Sequence, residues 1–427
     1  MPSASYNSLR LAIIGVTVKE IVLINVSGED KPGLTSSITG ILSDYDVSVL
    51  DIGQAVIHNT LSLGLLVEMS ATGDSSPVLK DILFRVHELD LQARFTPVSE
   101  ASYTDWVMQQ GKPKHIVTLL ARKINANHIS KVTALMAAYN LNIDRIDRLS
   151  GRISLSDNDQ QTKACVELSA RGSLDNPAVV RREFLKLASE LNIDIAYQEH
   201  NVFRRNRRLV AFDMDSTLIE AEVIDELAKA AGVGEQVAAI TELAMQGEID
   251  FDESFAQRVA LLKGLDESVL EGIAQGLRLT EGAEELIATI KKLGYKTAIL
   301  SGGFSYFGKF LQQRLGIDYV HANELDIKDG KVTGKVIGQV VNGQRKADLL
   351  RELAKKEGIL LDQTIAVGDG ANDLPMLSLA GLGIAFRAKT IVKESAQQSI
   401  STLGLDSILY LLGYSDRETY LQKDEAN

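Results

Sequence analysis

Asp213-Met214-Asp215-Ser216-Thr217 sets two carboxylates one residue apart, directly after the apolar run Leu209-Val210-Ala211-Phe212. Such a run reads as a buried parallel strand. Both aspartates then fall at its C-terminal tip, the edge where open α/β sheets bind ligands. Carboxylates so placed can share a divalent cation, or one can attack phosphorus while the other carries a proton. The same five residues also suit a capped polar turn. Three more segments follow in order. Ser301-Gly302-Gly303 ends an apolar strand and offers a hydroxyl and backbone N–H groups to phosphate oxygens. Lys346 stands between Arg345 and Ala347 at the start of a helix. Gly368-Asp369-Gly370-Ala371-Asn372-Asp373 follows another apolar strand, with glycines that permit close backbone approach. Singly, each reads as well as a turn or a solvated side chain. Together, the acidic and hydroxyl-bearing segments stand at the exits of core strands, so one fold gathers them. A carboxylate pair, a Ser/Gly cradle, a lysine and a second acidic loop serve phosphoryl transfer. Such an acidic pocket admits a phosphate dianion only with a hard cation between them, and Mg²⁺ suits it.

The elements that must position these residues follow from periodicity. Apolar strands at 209–212, 297–300, 364–367 and 383–386 alternate with helices, the pattern of a doubly wound parallel sheet. Residues 326–337 form a hairpin around Asp329-Gly330. Residues 219–280 show no strand and read as short amphipathic helices, a cap inserted at the catalytic edge. Upstream, strands at 20–26, 47–56, 61–69 and 91–95 with helices at 34–42 and 78–87 give the order βαββαβ. The order returns in strands at 115–120, 141–149, 164–170 and 193–199 with helices at 129–139 and 177–191. Ile21 matches Ile116 at an offset of 95 and Tyr45 matches Tyr139 at 94, which marks an internal duplication. The expected organisation is a ferredoxin-like module at 1–96, a linker at 97–112 and a second module at 113–200. A basic linker at 201–208 and an α/β domain at 209–427 complete it. Trp106 in the first linker is expected to pack on a module. The cluster Arg204-Arg205-Asn206-Arg207-Arg208 reads as a solvated connector in an acidic chain.

The 427 residues suit two to four domains, and a net charge of −12 argues against nucleic-acid partners. The single cysteine, Cys165, excludes an internal disulfide and fits a reducing, cytoplasmic setting. No apolar run reaches membrane-spanning length, and the stretch from Leu11 to Val18 is too short and lacks a cleavage site for a signal peptide.

Residues 209–412 resemble the phosphoserine phosphatases of the haloacid dehalogenase superfamily. The likeness rests on Asp213-Met214-Asp215-Ser216-Thr217, Ser301-Gly302-Gly303-Phe304, Lys346 and Gly368-Asp369-Gly370-Ala371-Asn372-Asp373. In the cap, Glu222, Met245, Phe251 and Arg258 stand where that family surrounds phosphoserine. The resemblance implies hydrolysis of O-phospho-L-serine to L-serine, the last step of serine biosynthesis. Asp213 would be the nucleophile and Asp215 the proton donor. Mg²⁺ would be held by Asp213, Asp215 (through its backbone carbonyl) and Asp369. Ser301, Gly302, Lys346 and Asn372 would bind the phosphoryl group. Arg258 would meet the substrate carboxylate and Glu222 its ammonium, with Met245 and Phe251 closing the wall. The repeated modules resemble ACT domains, which implies an amino-acid effector at Asp30, Pro32 and Gly33 of the first copy. The second copy carries Lys123-Ile124-Asn125-Ala126-Asn127 there and lacks the Pro-Gly turn. A homodimer is expected, without membrane or nucleic-acid partners. Two rivals remain: a related phosphatase for another small phosphomonoester, and an amino-acid-sensing interaction protein with weak phosphatase activity.

Overall fold

A computed structural model describes residues 20–69, 75–152 and 162–420 of the chain; the stretch from Leu11 to Val18 lies outside them. The chain divides into two compact units after Lys112.

In the first unit, β1 (Glu20–Glu29), the helix Leu34–Asp44, β2 (Ser48–Ile57), β3 (Thr60–Met69), the helix Ser76–Glu88 and β4 (Gln92–Val98) follow in sequence. The strands form a four-stranded antiparallel sheet in the order β2-β3-β1-β4. Leu61, Leu63, Leu65 and Val67 alternate along β3 onto the face that packs against Ile38, Leu42, Ile82 and Val86 of the two helices. The expected linker holds a helix, Glu100–Gln109, started by Ser99, whose side chain accepts the Ser102 N–H. None of its residues is buried, so it lacks the apolar stripe that reveals helices in sequence. Trp106 stays 39% exposed and meets Tyr103 of the same helix, ring centroids 5.9 Å apart.

The second unit opens with β5 (Lys114–Ala121), the helix Ala126–Ala138, β6 (Asn142–Arg148), β7 (Ala164–Arg171), the helix Pro177–Leu191 and β8 (Asp194–Glu199). Their sheet order, β6-β7-β5-β8, repeats that of the first module. The α/β domain follows, with β9 (Leu209–Phe212), β10 (Lys296–Phe304), β11 (Tyr319–Lys328), β12 (Lys331–Ile337), β13 (Thr364–Gly368), β14 (Leu382–Phe386) and β15 (Gln398–Ile400). These make one seven-stranded sheet, β12-β11-β10-β9-β13-β14-β15. It is parallel except where β12 turns back on β11. All four residues of β9 are buried, and the strand lies between β10 and β13. The helices Val223–Ala230, Gly234–Gln246, Phe251–Leu261 and Val269–Gly276 form the cap between β9 and β10.

The basic cluster departs from expectation. Arg204 and Arg207 are 8% and 3% exposed. Arg204 pairs with Glu167 of β7 and donates to the Leu411 carbonyl at 3.1 Å, while Arg207 donates to Gly381 O at 3.0 Å. Their partners come from remote parts of the chain, so local composition shows only charge. Beside them β8 meets the sheet edge at β15. The Gln398 amide accepts the Tyr197 N–H at 3.0 Å and donates to Tyr197 O at 2.6 Å, as a strand backbone would. The Asp194 carboxylate accepts the N–H groups of Ser401 and Thr402 at 2.9 and 2.8 Å. Among the described residues no helix is long and apolar enough to cross a membrane.

Candidate active site

Asp213 stands at the tip of β9, where its N–H donates to Val367 O of β13 at 2.8 Å. Its carboxylate accepts the Met214 N–H at 2.8 Å and meets Lys346 Nζ at 2.9 Å. Lys346 is fully buried and also donates to Asp373 at 2.7 Å. Burial alone would strip its proton, but Asp213 and Asp373 outweigh that and hold its pKa above the ordinary value. The lysine is aimed by the start of its helix, Gly343–Lys356, where the Asn342 side chain accepts the Arg345 N–H at 3.1 Å. Gly343 permits the approach of that helix to the acidic loop, because a Cβ there would lie 2.6 Å from Asn372 O.

Asp369 and Asp373 leave β13 and face Asp213. Ligand oxygens of the three carboxylates lie within 4.8 Å of one another. Burial, reinforced by Asp213 and Asp373, pushes Asp369 up to about 8. Burial and Asp213 push Asp373 up to about 6 against the pull of Lys346. Hard oxygen donors with surplus negative charge fit a divalent cation such as Mg²⁺.

The Asp215 side chain turns toward the cap and accepts the Val223 N–H at 3.1 Å. Burial lifts its pKa well above the carboxylate range, with Glu222 and Asp213 adding to the shift. A raised pKa suits a carboxyl group to proton donation. Gly303 makes room, since a Cβ there would lie 2.4 Å from Asp215 Oδ2. Ser216 adopts a left-handed conformation at φ 55°, a strained state for a residue with a side chain. Its hydroxyl donates to Glu222 at 2.8 Å. Ser301 is fully buried, and its Oγ accepts the Gly303 N–H at 2.9 Å.

In the cap, burial lowers the pKa of Arg258, and Glu222, Asp225 and Asp215 oppose that shift. Burial raises Glu222, which keeps solvent access although protein surrounds most of it. Phe251 reaches the Ser301-Gly302-Gly303 segment: a Cβ on Gly302 would lie 3.1 Å from its ring. Met245 belongs to the helix Gly234–Gln246, and its side chain lies outside the described portion. Asn372 sits on the acidic loop beside Gly302, at 3.8 Å from where that Cβ would be.

Asn323 escaped the sequence reading. It is 2% exposed in β11, donates to Gly302 O at 2.8 Å and accepts the Val341 N–H at 2.8 Å. It thereby ties the cradle to the segment leading into the Lys346 helix. Its one signal in sequence is a polar residue inside a strand. Asn342, another omission, donates to both oxygens of Asp252 in the cap at 3.1 and 3.0 Å.

In the first module, Gly33 at φ 89° precedes a helix whose N-terminus has no side-chain cap. Pro32 leads into this turn, and the Asp30 N–H donates to Asn59 O at 2.8 Å. The second module closes the equivalent terminus itself, because Asn125 accepts the His128 N–H at 3.0 Å.

An ACT-domain family model matches residues 20–96, another matches 113–198, and a haloacid dehalogenase-like hydrolase model matches 207–381. A phosphoserine phosphatase of Streptomyces coelicolor is 39% identical over 397 residues, 93% of this chain and 93% of that protein. Phosphoserine phosphatase SerB2 of Mycobacterium tuberculosis is 38% identical over 401 residues, 94% of this chain and 95% of that protein. Among solved structures, a haloacid dehalogenase family hydrolase of Salmonella enterica serovar Typhi is 30% identical with a TM-score of 0.60. That match covers 70% of this chain and 98% of the other.

Proposed function

The chain belongs to the phosphoserine phosphatases, built as two ACT domains and a haloacid dehalogenase-like hydrolase domain, and we propose that it hydrolyses O-phospho-L-serine through an aspartyl phosphate. The observation that carries this reading is the joint placement of Asp213 on Lys346 at 2.9 Å and of Asp215 turned toward the cap, where its carboxylate accepts the Val223 N–H at 3.1 Å.

Asp213 attacks phosphorus, the P–O bond to serine breaks, and Asp215 gives its proton to the leaving oxygen. Water then attacks the aspartyl phosphate while Asp215 takes a proton back. Ser301, Gly302 and Asn372 hold the phosphoryl oxygens, and Lys346 balances the charge that develops on them. Asp213, the Asp215 backbone carbonyl and Asp369 would hold Mg²⁺, which supplies positive charge to the phosphoryl oxygens when bound. Asp373 orients Lys346. Arg258 grips the substrate carboxylate with its planar fork, Glu222 meets the ammonium, and Met245 and Phe251 exclude water. A sugar phosphate would leave Glu222 and Arg258 without partners, which argues against that rival substrate class. The contacts among Asp213, Lys346 and Asp373 argue against weak catalysis in a sensing protein.

Product L-serine places the enzyme at the end of serine biosynthesis, and the buried thiol of Cys165 suits a cytoplasmic setting. The uncapped helix behind Gly33 supports an amino-acid effector at Asp30, Pro32 and Gly33 of the first module. The exposed edge strand β2 supports a homodimer. The decisive experiment measures phosphate release from O-phospho-L-serine, phosphothreonine and sugar phosphates, with and without Mg²⁺. Preferred turnover of a sugar phosphate, or full activity after chelation, would sink the reading.

A further inference from the structure

The cap joins the α/β domain through two chain crossings, residues 218–220 outward and 278–280 on return. They pair with each other: Glu220 N–H donates to Arg278 O at 3.0 Å, Thr280 N–H donates to Leu218 O at 2.9 Å, and Ile219 bridges Leu279. A pocket of about 490 Å³, with Glu220, Ala221, Leu277 and Arg278 in its wall, leaves room on one flank. The foot of the return crossing has no such room. Gly282, at φ 77°, lies so near the segment after β15 that a Cβ would sit 2.8 Å from Asp406 N, and Glu281 O accepts the Leu405 N–H at 2.8 Å.

Glu281, one residue beyond the hinge, is held by the second ACT domain. Arg122 donates to its two carboxylate oxygens at 2.8 and 2.6 Å, and Arg387 adds a bond at 3.0 Å. Arg122 directly follows β5, at the turn equivalent to the one where the first ACT domain presents its uncapped helix end. Here Asn125 closes that end, Thr162 donates to Arg122 O at 2.9 Å, and Lys163 pairs with Asp406. The turn has thus exchanged a free helix terminus for a two-point grip on the hinge foot.

We propose that Arg122 is a positioning residue for the reaction: acting through Glu281, it fixes the foot of the return crossing and so sets the position from which the cap closes over Asp213. The inference rests on the proposed phosphatase reading, in which Glu222 and Arg258 of the cap recognise the amino-acid part of the substrate. Removing the grip therefore penalises a substrate that needs the cap and spares one that does not.

The test compares Arg122→Met, Glu281→Gln and the double variant on O-phospho-L-serine and on p-nitrophenyl phosphate, which lacks the amino and carboxylate groups. Each single change lowers kcat/KM for phosphoserine about five-fold, a coupling of ordinary size. Turnover of p-nitrophenyl phosphate stays within about two-fold. The double variant falls no further than Glu281→Gln alone, because that change already removes the Arg122 grip together with the Arg387 bond. Arg122→Lys, which keeps the charge but not the fork, recovers part of the loss and covers a Met variant that fails to fold. Unchanged kcat/KM, equal loss on both substrates, or additive losses overturn the proposal. Amide exchange supplies a readout without turnover: residues 219–220 and 278–280 exchange faster in Arg122→Met while β9 and β13 do not. Failure of the wild type to hydrolyse phosphoserine would sink the phosphatase reading alone, and the exchange result would then decide the role of Arg122.

Discussion

At the scale of single residues, the site separates two carboxylates by surroundings rather than by type. Asp213 faces a buried lysine, whereas burial, with Glu222 and Asp213 nearby, raises the pKa of Asp215, a division that suits the proposed nucleophile and proton donor. Asp213→Asn should abolish turnover, because no acyl phosphate can form. Asp215→Asn should still bind substrate but release serine slowly, a split that pre-steady-state kinetics would resolve. Arg258→Ala would leave the substrate carboxylate without its proposed partner, a loss of roughly 2–5 kcal/mol. It should fall on phosphoserine far more than on p-nitrophenyl phosphate; equal losses would reassign Arg258 to cap structure. Asn323→Leu removes a buried bond to Val341 N–H and a part-buried one to Gly302 O, the buried N–H left unpaired costing about 1–3 kcal/mol. Melting temperature should drop together with kcat, while Mg²⁺ still raises the melting temperature because the acidic cluster is intact.

At the scale of elements, legibility in the sequence followed locality. The apolar runs 209–212, 297–300 and 364–367 are continuous, so the chemistry that follows them at Asp213, Ser301 and Asp369 could be read directly, although β10 itself runs on to Phe304. Repetition of βαββαβ made the two modules legible as well. Features whose partners are remote stayed hidden. Asn323 binds residues 302 and 341, and the helix Glu100–Gln109 buries nothing. The arginines after β8 looked like a solvated connector because Glu167, Leu411 and Gly381 are distant in sequence. Burial changes what those charges cost. The Arg204 and Glu167 side chains are 9% and 12% exposed, so Arg204→Met leaves a buried carboxylate alone at about 3–5 kcal/mol. Replacing both, Arg204→Met with Glu167→Leu, should recover much of that loss in a denaturation midpoint. A double variant as unstable as Arg204→Met would mean that Arg204 acts through the carbonyls of residues 410 and 411 instead.

At the scale of the whole molecule, the two ACT domains have parted in role although their sheets share one order. The second spends its β8 edge on β15 and its helix-opening turn on the hinge. The first leaves ten residues of β2 open, with Val49, Ile52 and Val56 exposed, an edge that an antiparallel copy of itself can extend about a two-fold axis. Light scattering should find the proposed dimer for the unaltered chain and a monomer for Ile52→Lys with Val56→Lys; a dimer in both would remove β2 from the interface, and a monomer in both would remove the dimer. The same division decides how to test regulation. A fragment ending near residue 200 would bare the β8 edge that the α/β domain normally covers, whereas residues 1–112 form a unit with its own core. Calorimetry on residues 1–112 should therefore detect L-serine or a similar amino acid at the uncapped helix behind Gly33. Serine also competes at the active site as product, so inhibition of the full chain alone decides nothing. Asp30→Ala alters the proposed effector turn without touching the proposed catalytic residues. It should weaken the non-competitive part of serine inhibition by several-fold to about a hundred-fold, the range of a coupling near 1–3 kcal/mol. No heat of binding to the fragment, with serine inhibition unchanged in Asp30→Ala, would leave the first domain as an assembly surface and nothing more.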